Sequence, residues 1–273
     1  MPNHGTAWDR ALAELATFAS ATGDASADPG AASRAWAARL GTRVAELHAS
    51  LATGGGPAFA PERLTLADQR SIYQSTRTAL SEALATLRRA IPRLRPEVAA
   101  LAEEAFASEE RLRGLLGSLL ARPLEGKRAR IHGDLHLGQI LDTGDDIAII
   151  DFEGEPSRTI GDRRLKRSPL VDVAGMLRSF SYAASTVALM SPEEGPAAEA
   201  ATPRRWEAEV SGAFLDAYVA SAAADGLVPR EAGDRALLLR AFLLGRCVYE
   251  IRYELSARPD WTAVPLHGLL ALR

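Results

Sequence analysis

The chain has 273 residues, 47% of them hydrophobic, enough to bury a core in one large domain or two small ones. Its formal net charge of −3 gives no electrostatic case for nucleic acid or an anionic membrane surface as a partner. The single cysteine, Cys247, excludes an internal disulfide and stands in an apolar helical run, as a buried structural thiol does.

The opening MPNHGTAWDR lacks the apolar core of a signal peptide, and no apolar run approaches the ~20 residues of a membrane span, so a cytoplasmic protein is expected. Helical periodicity dominates the chain. A short amphipathic helix is expected from about Ala7 to Ala19, and Gly23 to Gly30 reads as a flexible break. Ser33 reads as the cap of a helix to about Leu51. Its apolar stripe is Trp36, Leu40, Val44, Leu47 and Leu51, and Gly54-Gly55-Gly56-Pro57 ends it. Two long helices follow, Ala67 to Ala90 and Pro96 to Leu120, divided by Ile91-Pro92. Pro96 suits a first turn, where its missing N–H has no intrahelical partner to lose.

The pattern then changes. Gln139-Ile140-Leu141 and Ile147-Ala148-Ile149-Ile150 flank Asp142-Thr143-Gly144-Asp145, which predicts a β-hairpin. Past the basic loop Arg163 to Arg167, Ser168-Pro169 opens a helix to about Leu189. Ser191 to Pro203 reads as a surface loop. Helices are expected over Pro203 to Ala224 and Pro229 to Ser256, with a short one near Leu266. The fold class expected is α+β, mostly helical, with one embedded β-hairpin.

That hairpin carries the chemistry. Ile131 to Glu155 reads IHGDLHLGQILDTGDDIAIIDFEGE and places Asp134, Gln139 and Asp151 around it. Phosphoryl transfer from ATP needs one carboxylate to orient the attacking hydroxyl, and an amide oxygen and a second carboxylate to hold Mg2+ against the phosphates. A hairpin returns the chain, so residues flanking its two strands can share one metal, and hard divalent cations take such oxygen ligands. His132 reads as packing and hydrogen-bonding around the metal-binding turn. A second reading starts from the alternation of His132, Asp134 and His136, which on a strand would face one way as ligands of a zinc or two-metal hydrolase. Gly133 and Gly138 argue for a loop instead, and His4, His48 and His267 are scattered.

At these residues the sequence resembles the aminoglycoside phosphotransferase-like kinases, which share the protein-kinase-like fold. Within them it is most similar to the maltokinases. The resemblance runs through HGDLHLGQIL (His132 to Leu141), IIDFEGEPSR (Ile149 to Arg158), SPLVDVAGMLRSFSYAA (Ser168 to Ala184) and VYEIRYELSARPDWTAVPL (Val248 to Leu266). The opening MPNHGTAW is similar to the segment just after the interlobe hinge, and Gln139, where the wider family has Asn, is itself a maltokinase-like trait. The resemblance implies Asp134 as catalytic base and Gln139 and Asp151 as magnesium ligands. It places His136 and Glu153 beside the acceptor sugar or the metal shell, with Asp172 and His132 bracing the catalytic loop. It implies ATP as donor and maltose as acceptor, the product being maltose 1-phosphate for α-glucan synthesis.

The late helix has two readings. Tyr249 and Tyr253 are one turn apart, as are Glu250 and Glu254. Aromatic faces with carboxylates bind sugars, so Tyr249 and Glu250 are candidates for the acceptor pocket. Equally, Arg246–Glu250 is an i,i+4 pair, and tyrosines at helical spacing are often core with a wet hydroxyl.

A kinase of this type has an N-terminal lobe that holds the ATP phosphates with backbone donors and a strand lysine. The chain has no G-x-G-x-x-G, its triple glycine lies between helices, and its only lysines, Lys127 and Lys166, do not suit the nucleotide role. The expectation is that residues 1–273 form a catalytic and acceptor-binding C-terminal lobe without the nucleotide-binding lobe, weak in ATP affinity alone. Two alternatives stand beside maltose. One is a kinase of the same fold acting on an amino sugar or aminoglycoside, for which Glu153, Glu155, Glu250 and Glu254 would serve. The other is a non-catalytic domain that binds sugar or a partner such as trehalose synthase.

Overall fold

A computed structural model of the chain describes residues 3–20, 28–156, 158–190, 201–223 and 225–272. Most of the expected break from Gly23 to Gly30 and of the loop from Ser191 to Pro203 lies outside these residues. In order, the elements are α1 (Ala7–Ser20), α2 (Ala31–Thr53), β1 (Glu62–Arg63), α3 (Leu66–Ala90), α4 (Pro96–Ala107), α5 (Glu109–Ser118), β2 (Lys127–Arg128), β3 (Ile140–Asp142), β4 (Ile147–Ile149), α6 (Ile160–Arg163), α7 (Leu170–Met190), α8 (Ala201–Ala222), α9 (Ala232–Ala257) and α10 (Ala263–Leu270). The architecture is mostly helical α+β with the embedded hairpin, as the patterning predicts. The chain forms two units, Met1–Glu62 with Lys127–Val228, and Arg63–Gly126 with Pro229–Arg273.

In the first unit, α1, α2, α7 and α8 bury a shared apolar core. Aromatic rings dominate it. Phe180 makes edge contacts with Trp36 at 6.1 Å, Trp206 at 6.2 Å and Phe214 at 5.8 Å. Such pairs favour the edge-on arrangement because the ring edge is positive and the face negative. The helix α2 begins after Gly30, so Ser33 is not its cap. Ser33 is buried inside the first turn and donates to Glu14 Oε2 at 2.8 Å. The buried stripe of α2 also departs from expectation: it runs Trp36, Leu40, Val44, His48, with Leu47 and Leu51 only half-buried.

The hairpin belongs to this unit. Ile140 pairs with Ile149, Leu141 with Ala148 and Asp142 with Ile147. One further bond, Ile150 N–H to Gln139 C=O at 2.9 Å, carries the pairing past the strand end to the edge of the candidate site. The outer edge of β3 is covered, because His4 N–H donates to Asp142 C=O and Asp142 N–H to Gly5 C=O, both at 2.9 Å. Charges pin the ends. Arg43 grips the Asp146 carboxylate with Nε at 2.8 Å and Nη2 at 2.7 Å, and Arg10 Nη1 meets Asp142 Oδ2 at 2.9 Å. Burial works to raise the Asp142 carboxyl, but the Gly144 N–H and the Arg10 guanidinium outweigh it and hold it below the usual range.

In the second unit, α3 opens with a capping box in which Thr65 and Asp68 satisfy each other's backbone N–H groups. The expected helix Pro96 to Leu120 is two helices. At Ser108 the backbone N–H is shared between the carbonyls of Glu104 and Ala105 while Oγ donates to Glu104 C=O at 2.8 Å, and the chain turns there. The helix α9 starts after Glu231, whose carboxylate accepts from the N–H groups of Gly233 and Asp234. The Cys247 thiol is buried on α9.

Candidate functional site

The loop from Ile131 to Gln139 enters the hairpin with two backbone N–H groups fixed from below. Asp172, on the first turn of α7 and 1% exposed, accepts from His132 N–H through Oδ2 at 2.8 Å and from Gly133 N–H through Oδ1 at 2.9 Å. Gly133 has φ 87°, a left-handed conformation that a side chain resists. This bend aims both N–H groups at one carboxylate. On its other side, Asp172 Oδ2 meets His48 Nε2 at 3.0 Å, and His48 Nδ1 lies 2.9 Å from the Tyr218 hydroxyl. All three side chains are buried.

Next along the loop, His132 Nε2 lies 2.8 Å from the Ile150 carbonyl at the end of the hairpin, and its ring packs against Phe152 at 5.2 Å. The backbone N–H of Asp134, a half-buried residue, donates to His132 Nδ1 at 3.3 Å. With Nδ1 accepting, Nε2 carries the proton and donates to Ile150. His132 thus ties the start of the loop to the far end of the hairpin. His136 caps the single 3-10 turn Leu137–Gln139, its Nδ1 accepting from Gly138 N–H at 3.1 Å, and Ser179 Oγ accepts from Leu137 N–H at 3.1 Å.

Across the hairpin, Gln139 Nε2 donates to Asp151 Oδ2 at 2.8 Å. Asp151 is exposed and has φ 62°, the one non-glycine residue with positive φ among the described residues. Holding a non-glycine residue there costs about 1–3 kcal/mol, a strain that tends to survive at sites with a use for it. The exposed Asp151 carboxylate is a hard oxygen donor just past one strand, and the Gln139 amide just before the other, whose nitrogen faces it, carries a second donor in its oxygen. Magnesium is bound in this way, by one or two carboxylates with waters and phosphate oxygens completing the octahedron, so Gln139 and Asp151 fit that ion. The zinc alternative finds no support in the donor set. The ring nitrogens of His132 and Nδ1 of His136 hold loop backbone, and among the described residues no three His, Cys, Asp or Glu side chains form a metal-holding group.

Of the other candidates, Glu153 is exposed just past Asp151 and has no hydrogen bond or ion pair among the described residues. Tyr249 and Glu250 belong to α9 in the second unit. Tyr249 is 43% exposed beneath the Arg246 guanidinium, and Glu250 is 7% exposed. Glu254 is taken up by a two-bonded ion pair with Arg258, at 2.7 and 3.0 Å. Both lysines have structural partners: Lys127 Nζ lies 3.3 Å from Asp225 C=O, and Lys166 Nζ bonds Pro57 C=O at 2.8 Å and Glu62 Oε1 at 2.7 Å.

His48, Tyr218 and Ser179 do not emerge from reading the sequence. A signal for His48 was present: it follows Val44 by one turn on the apolar stripe, where a polar ring needs a buried partner. Tyr218 and Ser179 are single polar residues on helical faces with no comparable mark.

The approach of α7 to the loop depends on Gly175. A Cβ there would sit 2.5 Å from the Leu135 carbonyl oxygen. Gly175→Ala is therefore expected to lower stability by about 1–3 kcal/mol, measured by urea denaturation. An unchanged midpoint would show that helix and loop are not in close contact.

Fold and loop together define a kinase-like phosphotransferase architecture. The model of the phosphotransferase enzyme family matches residues 12–226, and the chain belongs to that family. Among its relatives, the glucosamine kinase of Streptacidiphilus jiangxiensis is 32% identical over 233 residues, covering 84% of this chain and 47% of that protein. The glucosamine kinase of Mycolicibacterium smegmatis (strain ATCC 700084 / mc(2)155) is 33% identical over 234 residues, covering 85% of this chain and 52% of that protein. A solved glucosamine kinase in complex with glucosamine, ADP and inorganic phosphate superposes with a TM-score of 0.81 at 28% identity, over 100% of this chain and 58% of that one. The chain thus spans about half the length of the curated relatives it matches. These relatives are glucosamine kinases, not maltokinases, which shifts the weight from maltose to the amino-sugar alternative. Nothing in these comparisons supports trehalose synthase as a partner, and that expectation is not carried forward. No helix among the described residues is long and apolar enough to cross a membrane.

Proposed function

We propose that this chain carries the acceptor and metal side of an ATP-dependent kinase that phosphorylates a hydroxyl of glucosamine. The observation that carries the proposal is the arrangement around Asp134. Its loop is held by Asp172 through two N–H groups, and the Gln139 amide meets the Asp151 carboxylate at the mouth of the same hairpin. Membership of the phosphotransferase family and the likeness to glucosamine kinases support the same conclusion.

In this scheme Asp134 accepts the proton of the acceptor hydroxyl as its oxygen attacks the γ-phosphorus, while the bond from that phosphorus to the bridging oxygen of ADP breaks. Magnesium held by Gln139 and Asp151 would neutralise charge on the phosphate oxygens. The acceptor's ammonium calls for a carboxylate, and the exposed Glu153 is the candidate on this unit. Among the described residues no glycine-rich loop joins two strands and neither lysine is available, so weak affinity for ATP is expected of this chain by itself.

Calorimetry with glucosamine and with maltose tests the acceptor. A charge-assisted contact to the ammonium predicts at least about tenfold tighter binding of glucosamine. Equal or tighter binding of maltose would return the proposal to maltose. Any Mg-ATP-dependent turnover is expected to vanish on chelation and to return with added magnesium. Turnover that survives chelation would remove Gln139 and Asp151 from the metal role.

A further inference from the structure

The far end of the buried chain behind the loop carries a further inference. Asp172 already accepts two backbone N–H bonds, and an ionised carboxylate has no proton to give. His48 Nε2, 3.0 Å from Asp172 Oδ2, must therefore carry the ring proton. A neutral imidazole has one N–H, so Nδ1 is left as an acceptor in the core and requires a donor. The Tyr218 hydroxyl, 2.9 Å away on α8, is that donor. Burial, and then the nearby Asp172 charge, push the Tyr218 phenol well above its ordinary range, so its proton stays on oxygen. The ring is held in place by the Phe214 ring, stacked at 6.3 Å, and by an edge contact with His48 at 5.7 Å. For a neutral His48 ring, every bond from Tyr218 to the loop then has one direction.

We infer that Tyr218 is a positioning residue: its hydroxyl fixes the tautomer of His48, which orients Asp172 and so the backbone that presents Asp134. Without the hydroxyl, Nδ1 is buried without a donor. The ring then either takes a second proton or turns its proton to Nδ1, and both change what Asp172 Oδ2 receives. The consequence for turnover rests on the kinase proposal above, whereas the tautomer does not.

Nitrogen-15 NMR of ring-labelled histidine, with amide exchange at His132 and Gly133, tests the inference on the full chain. The wild type is expected to show His48 as a single neutral Nε2–H tautomer. Tyr218→Phe should lose that signature and exchange the two amides about tenfold faster, the loss expected for one buried hydrogen bond. Trp206→Phe, which disturbs the packing of the same helix without touching the hydroxyl, should keep the tautomer. A wild-type ring protonated at Nδ1 overturns the inference without any variant, and so does an unchanged ring spectrum in Tyr218→Phe. In a glucosamine assay, Tyr218→Phe should lower kcat with KM unchanged. A wild type that binds no glucosamine and turns over no ATP would count against the kinase proposal, while the ring spectrum would still decide the relay.

Discussion

Asp134→Asn is expected to reduce turnover of glucosamine and Mg-ATP by about 10²- to 10⁴-fold, the usual worth of a positioned acid or base. The substitution keeps the shape of the side chain and its capacity to accept a hydrogen bond. It removes the capacity to take the hydroxyl proton, so the loss should fall on kcat, with KM for glucosamine little changed. Stability should change by less than about 1 kcal/mol, because the loop is fixed through backbone N–H groups and the rings of His132 and His136. Undiminished turnover would remove Asp134 from the chemistry. A loss of turnover matched by a loss of stability would make it a structural residue of the loop.

The parts of this site that lie close in sequence were legible there. Asp134, Gln139 and Asp151 flank one hairpin, whose apolar runs and turn residues mark it without tertiary information. Some helix boundaries were also readable to within a residue or two, as at Leu66 and Leu170. Those set by a side chain bonding back to its own helix were not. Ser108 splits one periodic run in two, although the apolar pattern continues across it. Ser33 looked like a cap and is a buried donor to Glu14, because the chain had already turned at Gly30. Contacts over long sequence separations were invisible for a different reason. His48 and Asp172 lie 124 residues apart, and only the packing of α2 near α7 and α8 brings their side chains together. Motif likeness reports the shared catalytic frame and not the acceptor, so the likeness to glucosamine kinases moves the weight from maltose to the amino-sugar alternative.

Asp172→Ala is expected to be the most damaging single change in the first unit, costing about 3–9 kcal/mol of stability. The carboxylate satisfies three donors, the buried His132 N–H and His48 Nε2–H and the half-buried Gly133 N–H. Each donor left without a partner costs about 1–3 kcal/mol, and alanine offers none of them an acceptor. The sum rivals the ~5–15 kcal/mol that keeps an ordinary domain folded, so the variant should be partly unfolded or soluble only in the cold. Asp172→Asn separates charge from hydrogen bonding. The asparagine side chain has the same outline but presents an NH2 group to a donor wherever its oxygen does not face, so one side of the clamp must open. Its stability should fall between those of the wild type and Asp172→Ala. Amide exchange at His132 or Gly133 should quicken selectively, and turnover should fall with the loop. Urea denaturation and exchange read both variants without an assay. A wild-type midpoint for Asp172→Ala would mean that water or relaxed backbone replaces the carboxylate, and that the loop owes its shape to the hairpin and the His132 ring alone.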